Sequence, residues 1–247
     1  MRPPTFPKKK PMRVNEKFVS IQGEGPYMGY WFSFIRLQGC NRRCVGCDTG
    51  YAQAAEGEGK EEAIEDVVEW VMAQGIPRVV FTGGEPMVQR DTLLPLIELL
   101  SRHKVQIHLE TNGDFADPHS KRLYALCDVV AVSLKSAVTP IGLAFRDDAV
   151  VERAVAWSTW GPNVLGTWYL KFPIRTGALE EYGAHLRELF IKLRGVSVVV
   201  MPESDPSDSL EIMASDLKTL IEFTEQFPHI RVLPRLHRIV WGNKRGV

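Results

Sequence analysis

The chain has 247 residues, 45% of them hydrophobic and 24% charged, and its 30 basic and 30 acidic residues leave a formal net charge of zero. That balance fits an ordinary globular protein and argues against a general nucleic-acid or membrane-surface binder. Four cysteines, three of them crowded between positions 40 and 47, do not make a secreted disulfide framework and point to a reducing, cytoplasmic compartment.

Residues 1–12 carry prolines at 3, 4, 7 and 11 around Lys8-Lys9-Lys10. They read as a flexible arm, with no apolar run for a signal or a membrane span. Residues 13–247 read as a single domain, because no low-complexity linker or repeat divides them. A strand-like run over 18–21 is followed by a turn over 22–26, forced by two glycines and a proline. Residues 31–37, aromatic and branched, make a strand that ends directly at Gly39-Cys40. Apolar spacing over 60–74 predicts an amphipathic helix stopped by Gly75 and Pro77. Then come a buried strand over 78–82, the turn Gly83-Gly84-Glu85-Pro86 and a leucine-rich helix over 91–103. The order recurs with strand 105–110, the turn Thr111-Asn112-Gly113, helix 118–126 and strand 128–133. Further on, helices over 147–157, 179–193 and 209–227 alternate with strands over 167–172, 196–201 and 230–233, and 241–247 is a polar closing segment. This pace predicts an α/β fold with a mostly parallel sheet, an incomplete TIM-type (β/α) barrel with its chemistry at the C-terminal strand ends.

Cys40, Cys44 and Cys47 form a C-x3-C-x2-C loop hung from such a strand end. Three thiolates at this spacing can hold three irons of a [4Fe–4S] cube and leave the fourth iron open. Zinc is the competing reading, but a structural zinc site is closed by four ligands, and the fourth would have to be Cys127 or a distant histidine. Cys127, at an apolar helix end, reads as an inert buried thiol. In the Gly83-Gly84-Glu85-Pro86 turn, glycines allow a ligand's amino and carboxylate groups close to the backbone. Glu85 either offers its carboxylate to an amine or caps the following helix.

The cysteine loop, followed one strand later by the Gly83-Gly84-Glu85-Pro86 turn, resembles the radical S-adenosylmethionine (SAM) superfamily. The resemblance implies a [4Fe–4S] cluster whose open iron is chelated by SAM, and cleavage of SAM to a 5′-deoxyadenosyl radical that removes a hydrogen atom from substrate. One departure is Gly46, where such proteins usually carry an aromatic residue. The packing of that ring has to come from elsewhere, with Tyr51 and Phe81 as candidates.

The match narrows on the runs Phe18–Gly25, Phe34–Asn41, Cys47-Asp48-Thr49, Glu110-Thr111-Asn112-Gly113 and Trp241–Val247, which are similar to the 7-carboxy-7-deazaguanine synthase family. This implies conversion of 6-carboxy-5,6,7,8-tetrahydropterin to 7-carboxy-7-deazaguanine with loss of ammonia, in queuosine and related deazapurine synthesis. It implies Mg²⁺ held through Thr49 with Asp48 behind it, and substrate contacts at Ile21, Gln22, Gly23, Glu24, Arg36 and Thr82. SAM contacts are implied at Gly83, Gly84, Glu85, Ser133 and Lys135, where Ser133-Leu134-Lys135 replaces the family's usual Ser-Pro-Lys. Physically, Glu24 suits the N–H donor edge of a pterin, and Arg36 can pair bidentately with a carboxylate. Met201-Pro202-Glu203 is a candidate adenine-side segment, and His237 is either structural or a substrate contact. A flavodoxin or ferredoxin-type electron donor and a homodimer are implied, and no membrane or nucleic-acid partner. Two other readings stay open: an activase acting on a partner protein's backbone, and a non-catalytic Fe–S or zinc protein.

Overall fold

The structure, a computed structural model, describes residues 11–163, 167–203, 205, 207–242 and 244–247. Strand β1 (Met12–Ile21) runs antiparallel to β2 (Trp31–Leu37), with Phe18 opposite Phe34. A short β3 (Lys60–Glu62) covers the free edge of β1. From β2 onward each neighbour is parallel: β4 (Arg78–Gly83), β5 (Gln106–Thr111), β6 (Val129–Val132), β7 (Thr167–Ile174), β8 (Val198–Pro202) and β9 (Ile230–Val232). The sheet order β3-β1-β2-β4-β5-β6-β7-β8-β9 leaves β3 and β9 as edges, so the barrel is open. The crossovers are α1 (Ile64–Ala73), α2 (Arg90–Arg102), α3 (Lys121–Ala125), α4 (Asp148–Trp160), α5 (Leu179–Lys192) and α6 (Leu210–Thr224), and α7 (Leu236–Trp241) follows β9.

Side chains alternate across a strand. One parity faces the helices, where Ile35, Phe81, Leu109, Val132, Phe172 and Val200 join Leu96 of α2 and Leu189 of α5 in the main core. Trimming Phe81 to Ala there would cost about 3–5 kcal/mol. The other parity lines the barrel interior and changes character along each strand. Phe34 is followed by Arg36, Val80 by Thr82, His108 by Glu110, and Tyr169 by Lys171. The interior thus has an apolar floor and a polar mouth. His108 belongs to the floor: edge-on to Tyr27 and Phe32, 4.5 and 4.6 Å between ring centres, it is kept neutral by burial, which lowers its pKa to about 4.

Several expected boundaries move. Met12, placed in the flexible arm, is fully buried and opens β1, while residues 1–10 of that arm lie outside the described residues. The helix expected over 60–74 starts at Ile64, because Lys60–Glu62 give their backbone to the open edge of β1. The helix expected over 118–126 shrinks to α3, since Asp117 folds its start into a turn by accepting from the Ser120 amide at 2.8 Å. Helix α7, which the sequence pattern did not reveal, precedes the closing segment and ends at its first residue, Trp241. No helix among the described residues is long and apolar enough to cross a membrane.

Candidate active site at the barrel mouth

The cysteine loop is held by backbone bonds. The amide of Gly39 donates to Ala52 O at 2.8 Å and that of Cys40 to Gln53 O at 2.9 Å, folding the loop back on itself. On its other side Gly84 donates to Leu37 O and Glu85 to Gly39 O. A Cβ on Gly84 would lie 2.3 Å from Gly39 O and 2.6 Å from Ala52 O, so only glycine lets the turn seat against the loop. Gly83 and Gly84 therefore serve first to dock β4 onto the cysteine loop.

Glu85 takes the capping alternative. It is fully buried, and its carboxylate accepts from the Met87 amide, the Thr111 hydroxyl and the Asn112 amide at 3.0, 2.8 and 2.6 Å. Burial raises its pKa to about 7 against these hydrogen bonds. A second clamp lies outside it. Asp114 accepts from Asn41 Nδ2 at 2.8 Å and from two nitrogens of Arg42, and it also pairs with Arg153, whose guanidinium reaches Lys135 O.

The three thiols are half-buried and free, and burial raises the pKa of Cys40 and Cys47. Among the described residues no three His, Cys, Asp or Glu side chains converge closely enough to hold a single ion. Cys127 is buried in the core, its Sγ donating to Leu123 O, and cannot complete a zinc site. A cube needs no such convergence, because each thiolate takes a different iron, so one three-thiol loop with no fourth ligand fits an open-faced cluster. Gly46 also finds its reason. It sits at φ +78°, with Glu203 Oε1 3.8 Å from where a Cβ would stand, and Val45 O accepts from Ile141 N. The loop must turn left-handed there. Of the two rings proposed as substitutes for the missing aromatic, Phe81 points into the outer core, and Tyr51 packs 3.8 Å from the Arg245 guanidinium.

The opposite side of the mouth is built from charge. Glu24, on the loop after β1, pairs with Lys171 at 2.7 Å and with Arg235 at 2.8 Å. Burial alone would raise its pKa, but Lys171 and Arg235 hold it well below the usual carboxylate range. Lys171 also faces Glu110 at 3.9 Å, and the two carboxylates push its pKa up despite burial. Glu110 in turn accepts from Gln22 Nε2 and Thr82 Oγ1, both at 3.1 Å. Three predicted substrate residues, Gln22, Glu24 and Thr82, therefore meet through Glu110 and Lys171, which the sequence reading passed over. Their signals were a charged residue at the end of each apolar strand.

Arg235 joins this network to the cysteine loop by pairing with Asp48 at 2.5 Å, and Asp48 accepts from Thr49 Oγ1 at 2.9 Å. Ser133 and Lys135 stand together, with Nζ 2.9 Å from Oγ, and burial and Lys171 lower the Lys135 pKa. Leu134, in place of the family's proline, is buried in the core.

Two of the predicted substrate residues have partners within the chain. The Gly23 carbonyl accepts from Leu236 N at 2.8 Å, and the His237 ring fills the space a Cβ would need, so Gly23 is a docking point for α7. Arg36 does not stand free at the mouth: its Nε pairs with Glu16 at 2.6 Å, a carboxylate shared with Arg245 and the Tyr51 hydroxyl. Ile21 ends β1 opposite Trp31.

A parallel α/β barrel with a three-cysteine loop after one strand and a Gly-Gly-Glu-Pro turn after the next defines a radical SAM enzyme, and residues 34–144 match the Radical SAM superfamily model. The crystal structure of QueE from Escherichia coli superposes with a TM-score of 0.60 over 92% of this chain and 94% of that one, at 23% identity, which speaks for the fold. The 7-carboxy-7-deazaguanine synthase of Hyperthermus butylicus is 44% identical over 93% of this chain and 92% of its own length. That of Thermoplasma acidophilum is 30% identical over 96% and 100%. The chain belongs to the 7-carboxy-7-deazaguanine synthase family.

Proposed function

We propose that this lyase converts 6-carboxy-5,6,7,8-tetrahydropterin to 7-carboxy-7-deazaguanine with loss of ammonia, feeding queuosine synthesis. One observation carries the reading: a three-thiol loop shares a barrel mouth with a carboxylate, Glu24, pinned ionised between Lys171 and Arg235. When bound, the cluster and SAM supply a carbon radical that takes a hydrogen atom from a C–H bond.

The chain's own groups do the rest. Cys40, Cys44 and Cys47 hold the cluster. Gly83 and Gly84 bring backbone, and Ser133 and Lys135 bring donors, to the SAM methionine end or ribose. Glu24, kept anionic, accepts the N–H donors of the pyrimidine edge, while Gln22 and Thr82 read its remaining polar atoms. Arg36 and the cations around Glu24 attract the substrate carboxylate. Thr49 offers Mg²⁺ a hard oxygen, with Asp48 oriented behind it by Arg235. Mg²⁺ there would polarise a substrate oxygen.

A low-potential flavodoxin or ferredoxin-type protein supplies the electron, the chain acts as a homodimer, and its four free cysteines suit the cytoplasm. The test is anaerobic turnover of the reconstituted protein with the pterin, SAM, reductant and Mg²⁺. Appearance of the deazaguanine chromophore supports the reading. Formation of 5′-deoxyadenosine with the pterin left intact overturns the substrate assignment.

A further inference from the structure

Glu16 stands between two guanidiniums. It lies opposite Arg36 in the β1–β2 register, and Arg36 in turn lies level with Thr82 of β4 on the face that lines the mouth. Arg36 Nε donates to Glu16 Oε1 at 2.6 Å, and Arg245, from the segment after α7, donates through its own Nε to Oε2 at 3.0 Å. The Tyr51 hydroxyl adds a bond to Oε1 at 3.1 Å. Burial would raise the pKa of this carboxyl, but the bonds from Arg36, Arg245 and Tyr51 lower it, so Glu16 stays ionised at neutral pH.

Arg245 is held at each of its three nitrogens. Nη1 meets Glu58 at 2.7 Å, Nη2 meets Asn15 Oδ1 at 2.7 Å, and the guanidinium lies 3.8 Å from the centre of the Tyr51 ring. A cation pinned in this way keeps one chosen oxygen of Glu16 occupied, and the consequence falls on Arg36. An ionised carboxylate beside an arginine favours the bidentate pairing, two parallel N–H···O bonds, which needs both of its oxygens. With Oε2 taken by Arg245, Glu16 reaches Arg36 through Oε1 and Nε. The terminal nitrogens of Arg36 thereby stay off Glu16, and two cations share one largely buried carboxylate. Glu58, the other acid on Arg245, is 63% exposed, where water screens it.

We propose that Arg245 is a positioning residue: by holding Glu16 Oε2 it keeps Glu16 from clasping Arg36 with both oxygens, and so leaves the Arg36 fork to a carboxylate on the substrate. The inference rests on the function proposed above, which supplies that carboxylate. Arg245 acts through Glu16 and not on the substrate itself. Removing it lets Glu16 turn both oxygens onto Arg36 and neutralise it. Removing the Glu16 charge as well frees Arg36 again, an outcome that a purely structural tie between the closing segment and β1 would not give.

The experiment compares wild type, Arg245→Gln and Glu16→Gln/Arg245→Gln as full-length reconstituted enzymes. Arg245→Gln is expected to raise KM for 6-carboxy-5,6,7,8-tetrahydropterin by about tenfold or more, with kcat and SAM cleavage retained. The double variant is expected to recover most of that loss. Inhibition by 5,6,7,8-tetrahydropterin, which keeps the ring and lacks the carboxylate, is expected to be the same in all three. An unchanged KM in Arg245→Gln, an equal loss for both pterins, or a double variant as impaired as the single one overturns the proposal. A crystal structure of Arg245→Gln reads the same point without substrate: both Glu16 oxygens are expected on Arg36, and Glu16 still bonded to Nε alone overturns it. Absence of pterin turnover in the wild type would defeat the functional reading and leave this structural outcome standing.

Discussion

The two sides of the barrel mouth are held by different forces. On the cysteine side, backbone amides, carbonyls and closely packed glycines set the geometry, with Glu85 as a buried peg between strand ends. On the opposite side, proposed to hold the substrate, Glu24, Lys171, Glu110 and Arg235 hold one another through charge at the end of an otherwise apolar interior. A cluster loop must keep its shape before any ligand arrives, and backbone hydrogen bonds with close glycine packing do that. The proposed pterin site needs an ionised acceptor away from water, and the neighbouring cations Lys171 and Arg235 keep the buried Glu24 carboxylate charged. The sides should therefore fail differently: the first through loss of the metal group, the second through pH and KM.

The largest effect is expected from Cys44→Ala. With two thiolates the cube should not persist, so iron content collapses and 5′-deoxyadenosine falls below detection, while the melting temperature barely moves. Normal SAM cleavage would remove Cys44 from the ligand set.

Next comes Lys171→Met. Removing one partner of a buried charge pair costs about 2–5 kcal/mol, so kcat/KM should fall by a factor of about 30 or more, mainly through KM. The pH profile gives the sharper reading. Glu24 is held well below its ordinary value of 4.5, so its contribution is present above that value and is lost only as pH falls through the depressed one. Without Lys171 that loss moves to higher pH, and Lys171→Arg should restore the original acid limb. An acid limb that stays in place in Lys171→Met would show that Arg235 alone sets Glu24.

On the cysteine side, Glu85→Gln should cost about 1–3 kcal/mol, because its new amide N–H faces donors. Glu85 is raised to about 7, so the stability it contributes is complete below 4.5 and is lost as pH rises through about 7. Thermal melts between about pH 5 and pH 8 should decline with pH in wild type and flatten in the variant. Equal slopes would contradict the assignment.

The smallest effect is expected for Thr49→Ala. Apparent Mg²⁺ affinity should weaken about tenfold, equivalent to about 1.4 kcal/mol, with the cluster spectrum unchanged. An unaltered Mg²⁺ response would take Thr49 out of the site.

The alternation of strands and helices, the cysteine loop and the glycine turn could be read along the chain because each depends on near neighbours: side-chain period, turn residues, ligand spacing. The roles of single residues could not. Glu85 read equally well as an amine ligand or a cap until β5 brought Thr111 and Asn112 to it. Nothing along the chain named Glu16 as the partner of Arg36 or α7 as the partner of the Gly23 carbonyl. Lys171, Arg235 and Asp114 sit in no motif of their own, and Glu110 opens a family-like run that does not reveal which groups it pairs with.

By itself the sequence determined an open (β/α) barrel, three thiols at a strand end and a glycine turn to dock them, since short-range covalent geometry writes those features directly. The tertiary structure alone decided which charges meet: Lys171 with Glu24 is a contact across 147 positions and Arg235 with Glu24 across 211. At such separations only the closing of the sheet brings the groups together, and burial then makes each pair matter.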